Sequence, residues 1–110
     1  MPNFKVFYFQ TLRGSYPVRD FIEQQDKATQ TKIARSIRLL IDYGPFLKPP
    51  DIKKLQNKLY ELRISGKTAI RIFYTIVSGE YYLLHVFKKK TQKTPKREIK
   101  VAVDRIKEIV

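Results

Sequence analysis

The chain has 110 residues, 43% of them hydrophobic, with seven Tyr, seven Phe and no Cys; this is enough to bury the core of a single domain, residues 1–110, without metals or disulfides. The lack of cysteine excludes a disulfide framework and a thiolate nucleophile, and one histidine, His85, cannot by itself build a structural zinc site. With 23 Lys and Arg against 10 Asp and Glu the formal charge is +13, a field that draws anions and opposes self-association, so the expected partner is nucleic acid or an acidic protein.

The first strand-like run is "FKVFYF", residues 4–9, rich in aromatic and β-branched side chains. A short helix follows in "SYPVRDFIEQQ", with Ser15 as candidate N-cap, Pro17 in the first turn and Val18, Phe21 and Ile22 on one side. From Asp26 a second helix carries Ile33, Ile37, Leu40 and Ile41 at helical spacing, and Gly44 and Pro45 end it. Residues 45–58 read as a proline-rich connection holding Lys48, Lys53, Lys54 and Lys58. Three strand-like runs come next, residues 59–64, 68–77 and 81–89, joined by short glycine-containing links that predict an antiparallel meander. The longest nearly apolar run among them, Tyr81–Phe87, is too short to span a bilayer, and the N-terminus lacks the pattern of a signal peptide, so a cytoplasmic protein is expected. Thr94 and Pro95 then introduce a final amphipathic helix marked by Ile99, Val103, Ile106 and Ile109. The expected fold is α+β in the order β-α-α-β-β-β-α, a small, mainly antiparallel sheet with its helices packed on one face.

Alternation along the strands places Glu61, Arg63 and Arg71 together on the face opposite Leu62, Ile70 and Ile72. If Gly66 and Gly79 centre the two turns, Glu61 lies opposite Arg71, Arg71 opposite Phe87 and Ala69 opposite Lys89, with His85 on the same open face. An isolated Glu61–Arg71 pair would be an ordinary sheet contact. Further cations nearby make the face a positive pocket suited to phosphate, with aromatic side chains on which bases could stack. Residues 88–100 carry Lys88, Lys89, Lys90, Lys93, Lys96, Arg97 and Lys100 against one anion, Glu98. The last three of these cations oppose the dipole of the helix they begin, which again points to an anionic partner.

The blocks "LYELRISGKTAIRIFYTI" and "LLHVFKKKTQKTPKREIKVAVDRIKEI" resemble the HigB-like toxins of the RelE/ParE superfamily, the branch first described from phage proteins. The resemblance covers essentially the whole chain. It implies a RelE-like sheet fold and the toxin of a type II toxin–antitoxin pair: a ribosome-dependent endoribonuclease that cuts mRNA without metal or small-molecule cofactor. It also implies silencing by a HigA-like helix-turn-helix antitoxin. The family's "YELR" arginine corresponds to Arg63, the central-strand arginine to Arg71 and the cationic block to Lys88, Lys89 and Lys90, while the catalytic tyrosine of RelE has no counterpart after that block. Two readings stand beside this one, a ParE-like inhibitor of DNA gyrase and a basic module that binds nucleic acid or an antitoxin without chemistry.

Cleavage by 2′-hydroxyl attack needs a base, an acid and charge stabilisation of the phosphorane, and would leave a 2′,3′-cyclic phosphate. Arg63 and Arg71 suit the stabilising task, since a guanidinium fork can bind phosphate oxygens bidentately. Glu61 or one lysine of 88–90 would be the base, and another lysine or His85 the acid. Lys53, Lys54, Lys58, Lys93, Lys96 and Arg97 would hold messenger and ribosomal phosphates.

Overall fold

The computed structural model describes residues 3–109. Its strands are β1 (Val6–Tyr8), β2 (Ile52–Gln56), β3 (Leu59–Ile64), β4 (Ala69–Val77) and β5 (Glu80–Lys89); its helices are α1 (Pro17–Glu23), α2 (Lys27–Tyr43) and α3 (Lys96–Ile109), with a 3-10 turn at Gly44–Phe46. The strands form one mixed sheet in the order β1-β5-β4-β3-β2, in which β1 runs parallel to β5 and the other pairs are antiparallel. The α+β class and the central meander agree with the sequence reading. The additional strand β2 does not: "IKKLQ" lies in the segment read as a connection. Its lysine-rich composition hides the alternation of a strand and suits an edge, where charged side chains discourage pairing with another molecule.

Local chemistry explains the helix boundaries. Asp26 caps α2 by accepting a hydrogen bond from the Thr29 N–H at 2.8 Å. At the other end Gly44 adopts φ +47° against the Phe4 ring, where an added Cβ would lie 2.6 Å from a ring carbon. Ser15 is not the cap of α1; Tyr16 holds that position, and the Ser15 hydroxyl instead meets the Thr11 hydroxyl at 2.8 Å.

Helices pack on both faces of the sheet, not on one. On the side of α1 and α2, Val18, Ile33 and Leu40 bury against Leu62, Ile72, Tyr74, Leu83 and Val86. On the opposite side, Ala102 and the partly buried Ile99, Val103, Ile106 and Ile109 of α3 cover Phe9, Leu59, Phe73, Leu84 and Phe87. A β-bulge makes this two-sided burial possible. Phe73 lies opposite His85 and Tyr74 opposite Leu83, which leaves Leu84 without a partner. The extra residue reverses the facing of β5 at that point. Leu83 and Val86 therefore serve one core while Leu84 and Phe87 serve the other, a distribution that uninterrupted alternation would forbid.

Candidate functional site

The chemistry-bearing side chains collect where α3 leaves part of its face of the sheet uncovered. The loop between β3 and β4 centres one residue later than Gly66, so Arg63, not Glu61, lies opposite Arg71, and Glu61 lies opposite Phe73. A two-residue shift keeps every side chain on its expected face while changing its partner. The second hairpin matches expectation beyond the bulge, with Arg71 opposite Phe87 and Ala69 opposite Lys89.

Glu61 is fully buried beneath the two arginines. Its Oε1 accepts from Arg63 Nε at 2.9 Å and lies 3.7 Å from Arg71 Nε, while Thr94 Oγ1 donates to Oε2 at 3.4 Å. Thr94, expected to cap α3, thus ties the lysine-rich loop to this carboxylate, and Pro95 O accepts the first helical N–H instead. A buried carboxylate that two guanidiniums neutralise satisfies the usual condition for burying charge. Its enclosed position fits a group that orients arginines and contradicts the expectation of Glu61 on an open face.

Both arginines approach Glu61 through Nε, which leaves terminal N–H groups for another anion. Arg71 donates from Nη1 to Ile70 O at 3.0 Å, and its buried Nε has no hydrogen-bond partner. Burial lowers the Arg71 pKa, with Glu61 opposing that effect and Arg63 adding to it. A guanidinium nevertheless remains charged at neutral pH. Beside it opens a cavity of about 490 Å³ lined by Ala69, Arg71, Lys89, Lys90, Thr91 and Gln92. Lys53, opposite Glu61 on the edge strand, completes the basic rim. Lys53, Arg63, Arg71, Lys89 and Lys90 therefore gather around one buried carboxylate, an arrangement that attracts phosphate.

His85 lies apart from this group. Phe73 stands between it and Glu61 in the cross-strand row, a separation of about 10 Å for two strand spacings. His85 Nε2 meets Glu98 Oε1 at 2.6 Å, and Arg105 Nη1 lies 3.4 Å from Nδ1 while donating to Leu84 O at 2.7 Å. Because a guanidinium only donates, this contact makes Nδ1 the acceptor and places the ring proton on Nε2, toward Glu98. The result joins α3 to β5. Neither Glu98 nor Arg105 stood out in the sequence as a site residue, although Glu98 was visible as the only anion of the cationic segment.

The remaining candidates divide by position. Lys88 points to the α1 and α2 side, where its charge helps lower the pKa of Asp26, and so does not join Arg71. Lys54 also faces that side, with its ammonium 5.9 Å from the Tyr60 ring centre. Lys58 occupies the turn after β2 at φ +65°. Lys93, Lys96 and Arg97 are exposed around the start of α3, and Arg97 Nε lies 3.8 Å from Glu98.

This geometry belongs to a chain whose residues 20–107 match the model of the family described as phage-derived protein Gp49-like (DUF891). The protein is a member of the Gp49-like family. That family is RelE-like and toxin-like, which gives the protein a toxin–antitoxin context. No curated protein matches the chain. Among the described residues, no helix of this Gp49-like protein is long and apolar enough to cross a membrane.

Proposed function

We propose that this Gp49-like protein is a HigB-like toxin of a type II toxin–antitoxin pair: a cytoplasmic endoribonuclease that cuts mRNA on the ribosome and is silenced by a HigA-like antitoxin. The observation that carries the reading is the pair of arginines held through Nε by one buried carboxylate, beside the cavity lined by Lys89 and Lys90. Charge that develops on a phosphorane is best stabilised by donors already oriented before the reaction, and Glu61 provides that orientation. Arg71 and Arg63 bind the non-bridging oxygens through terminal N–H groups. Lys89 and Lys90 are near enough to the same cavity to exchange protons with the attacking 2′-oxygen and the departing 5′-oxygen, whereas His85 is occupied by Glu98 and Arg105. Lys53, Lys93, Lys96 and Arg97 hold flanking phosphates.

The test is primer extension on a defined messenger incubated with purified protein, with and without ribosomes. Cuts that depend on ribosomes, carry cyclic phosphate ends and vanish in Arg71→Ala support the proposal. Intact messenger in both samples, together with inhibition of gyrase supercoiling, would instead support the ParE-like reading.

A further inference from the structure

β5 is ten residues long, but β1 pairs only with Tyr81, Leu83 and the residue between them, after which Phe9 N–H bonds Leu83 O and the chain turns away. The outer edge of β5 from His85 to Lys89 therefore has no strand beside it, and its main-chain groups make no backbone hydrogen bond outward among the described residues. A cleft of about 430 Å³ follows this edge. Four consecutive residues, His85 to Lys88, line it, as they must if it runs along the strand's side, because a cleft over one face would meet only alternate residues. Phe21 of α1 forms one wall, and Pro95, Arg97 and Glu98 form the other.

We propose that this edge is a binding site for an extended, acidic peptide segment of a partner protein, which adds to the sheet in line with β1. Unpaired N–H and C=O groups along a strand are complemented by another strand, which supplies acceptors and donors in alternation. A nucleic-acid backbone presents mainly phosphate acceptors, with at most one 2′-hydroxyl donor per nucleotide, and is the poorer complement to the carbonyls. Chemistry of the walls selects the segment. Lys88, Lys90 and Arg97 flank the cleft, and its one carboxylate, Glu98, is engaged by His85 and Arg97. Lysines at a strand edge repel a second copy of the same edge, and the chain's charge of +13 strengthens that repulsion, so the complement must carry carboxylates. Phe21 and Val86 offer an apolar seat on the α1 side for a side chain that alternates with the acidic ones. Five residues of edge span about 17 Å, the length of an ordinary short strand.

Lys90 and Thr91 line both this cleft and the Arg71 cavity. Resting on the nuclease reading, the bound segment would neutralise Lys90 and hinder entry of RNA. Binding itself does not depend on that reading.

The experiment titrates the full-length, ¹⁵N-labelled protein with a blocked peptide of alternating Glu and Val. Its controls are the same peptide N-methylated at alternate amides and a short oligouridylate. Saturable shifts and slowed amide exchange confined to His85–Lys89, with shifts at Phe21, are expected from the first peptide. N-methylation should abolish them, and Lys88→Glu should weaken binding by about tenfold or more. The inference is overturned by no saturable binding at millimolar peptide, by protection along β1 or β2 instead, by equal binding of the methylated peptide, or by oligouridylate being the sole ligand to perturb these amides. A separate cleavage assay with and without peptide tests the inhibitory consequence, so protein that binds peptide but cuts no RNA would refute only the nuclease reading.

Discussion

Glu61→Gln is the most informative single substitution, because it preserves shape while removing the charge and turning one acceptor oxygen into a donor. The carboxylate is fully buried, with Arg63 Nε at 2.9 Å, Arg71 Nε at 3.7 Å and Thr94 Oγ1 at 3.4 Å. Breaking a buried ion pair from one side costs about 3–5 kcal/mol, but this pair is only partly buried on the arginine side. The Arg63 side chain is 31% exposed, so water compensates most of its loss, which leaves about 1 kcal/mol. Arg71 is only 14% exposed, its Nε has no hydrogen-bond partner and Glu61 is the carboxylate paired with it, so its uncompensated burial adds about 2 kcal/mol. The total, about 3 kcal/mol, corresponds to a fall in Tm of roughly 13 °C for a chain of this length. Thermal unfolding followed by circular dichroism measures it. Cleavage at 25 °C, where the variant remains folded, should drop by about a hundredfold as the guanidiniums lose their orientation. The same substitution in an Arg71→Met background should cost about 1 kcal/mol, because the charge it strands is then gone. A Glu61→Gln protein that melts with wild type and cuts RNA at the wild-type rate would refute the claim that this carboxylate organises the arginines.

Arg71→Lys should lose about 10²–10³ in cleavage rate, nearly as much as Arg71→Ala, if two N–H groups on one plane are what the phosphate requires; single-turnover kinetics on ribosome-bound messenger would show it. Phe73→Ala should destabilise by about 3–5 kcal/mol in urea titration, since Phe73 is fully buried between the sheet and α3 and meets Phe87 edge-on at 5.2 Å. Asp26→Ala should lower Tm at neutral pH, and the difference should vanish in acid. Hydrogen bonds from Thr29 hold the Asp26 carboxyl below its ordinary value of 3.8, so its contribution is full above that value and lost as pH falls through the lower, folded one. Replacing Lys89 and Lys90 together by Gln should reduce the slope of log affinity against log salt for single-stranded RNA by about 1.4, measured by fluorescence anisotropy.

The parts of the fold that were legible in the sequence are those in which one periodicity holds without interruption. The α2 stripe and the apolar face of α3 bury the residues their spacing selected, and in Leu59–Ile64 alternation gives the right facing although Leu59 and Glu61, on the face expected to be open, are buried as well. The side of the sheet on which Arg63 and Arg71 meet was also legible, because a register error of two residues changes partners and preserves faces. Facing in β5 was not, since Leu83, Leu84, Val86 and Phe87 can be alternated two ways and nothing in those residues announces the bulge at Leu84 that reconciles them. The charged Glu61, Arg63 and Arg71 mark the other face as an open one although Leu59, Phe73 and Phe87 share it, which is why α3 was expected beside the other helices. Thr94 illustrates a different limit. Its position before Pro95 is that of a helix cap, yet its hydroxyl serves a carboxylate 33 residues away, and a contact at that separation leaves no local signal.

The bulge also bears on function, and this connects the fold to the site. By setting Leu84 on the side of α3 beside Phe87, it gives that helix a fuller floor on which to pack, and the packed helix brings Glu98 to His85 and the loop before it to Glu61. The histidine, a reasonable acid in the sequence, is thereby committed to holding α3, while the lysines of the loop are delivered to Arg71. One inserted residue in a central strand thus separates the groups that anchor the helix from the groups left free for an anion. Deletion of Leu84 would leave Leu83 opposite Tyr74 and His85 opposite Phe73 in one unbroken register, so the rest of β5 keeps its facing while α3 loses a fully buried leucine from its floor, and the loop that the helix holds against Glu61 loosens with it. Loss of α3 docking and of the Arg71 cavity should therefore occur together, whereas disruption of the Glu98–His85 contact alone, as in Glu98→Gln, should loosen the helix and spare the arginines.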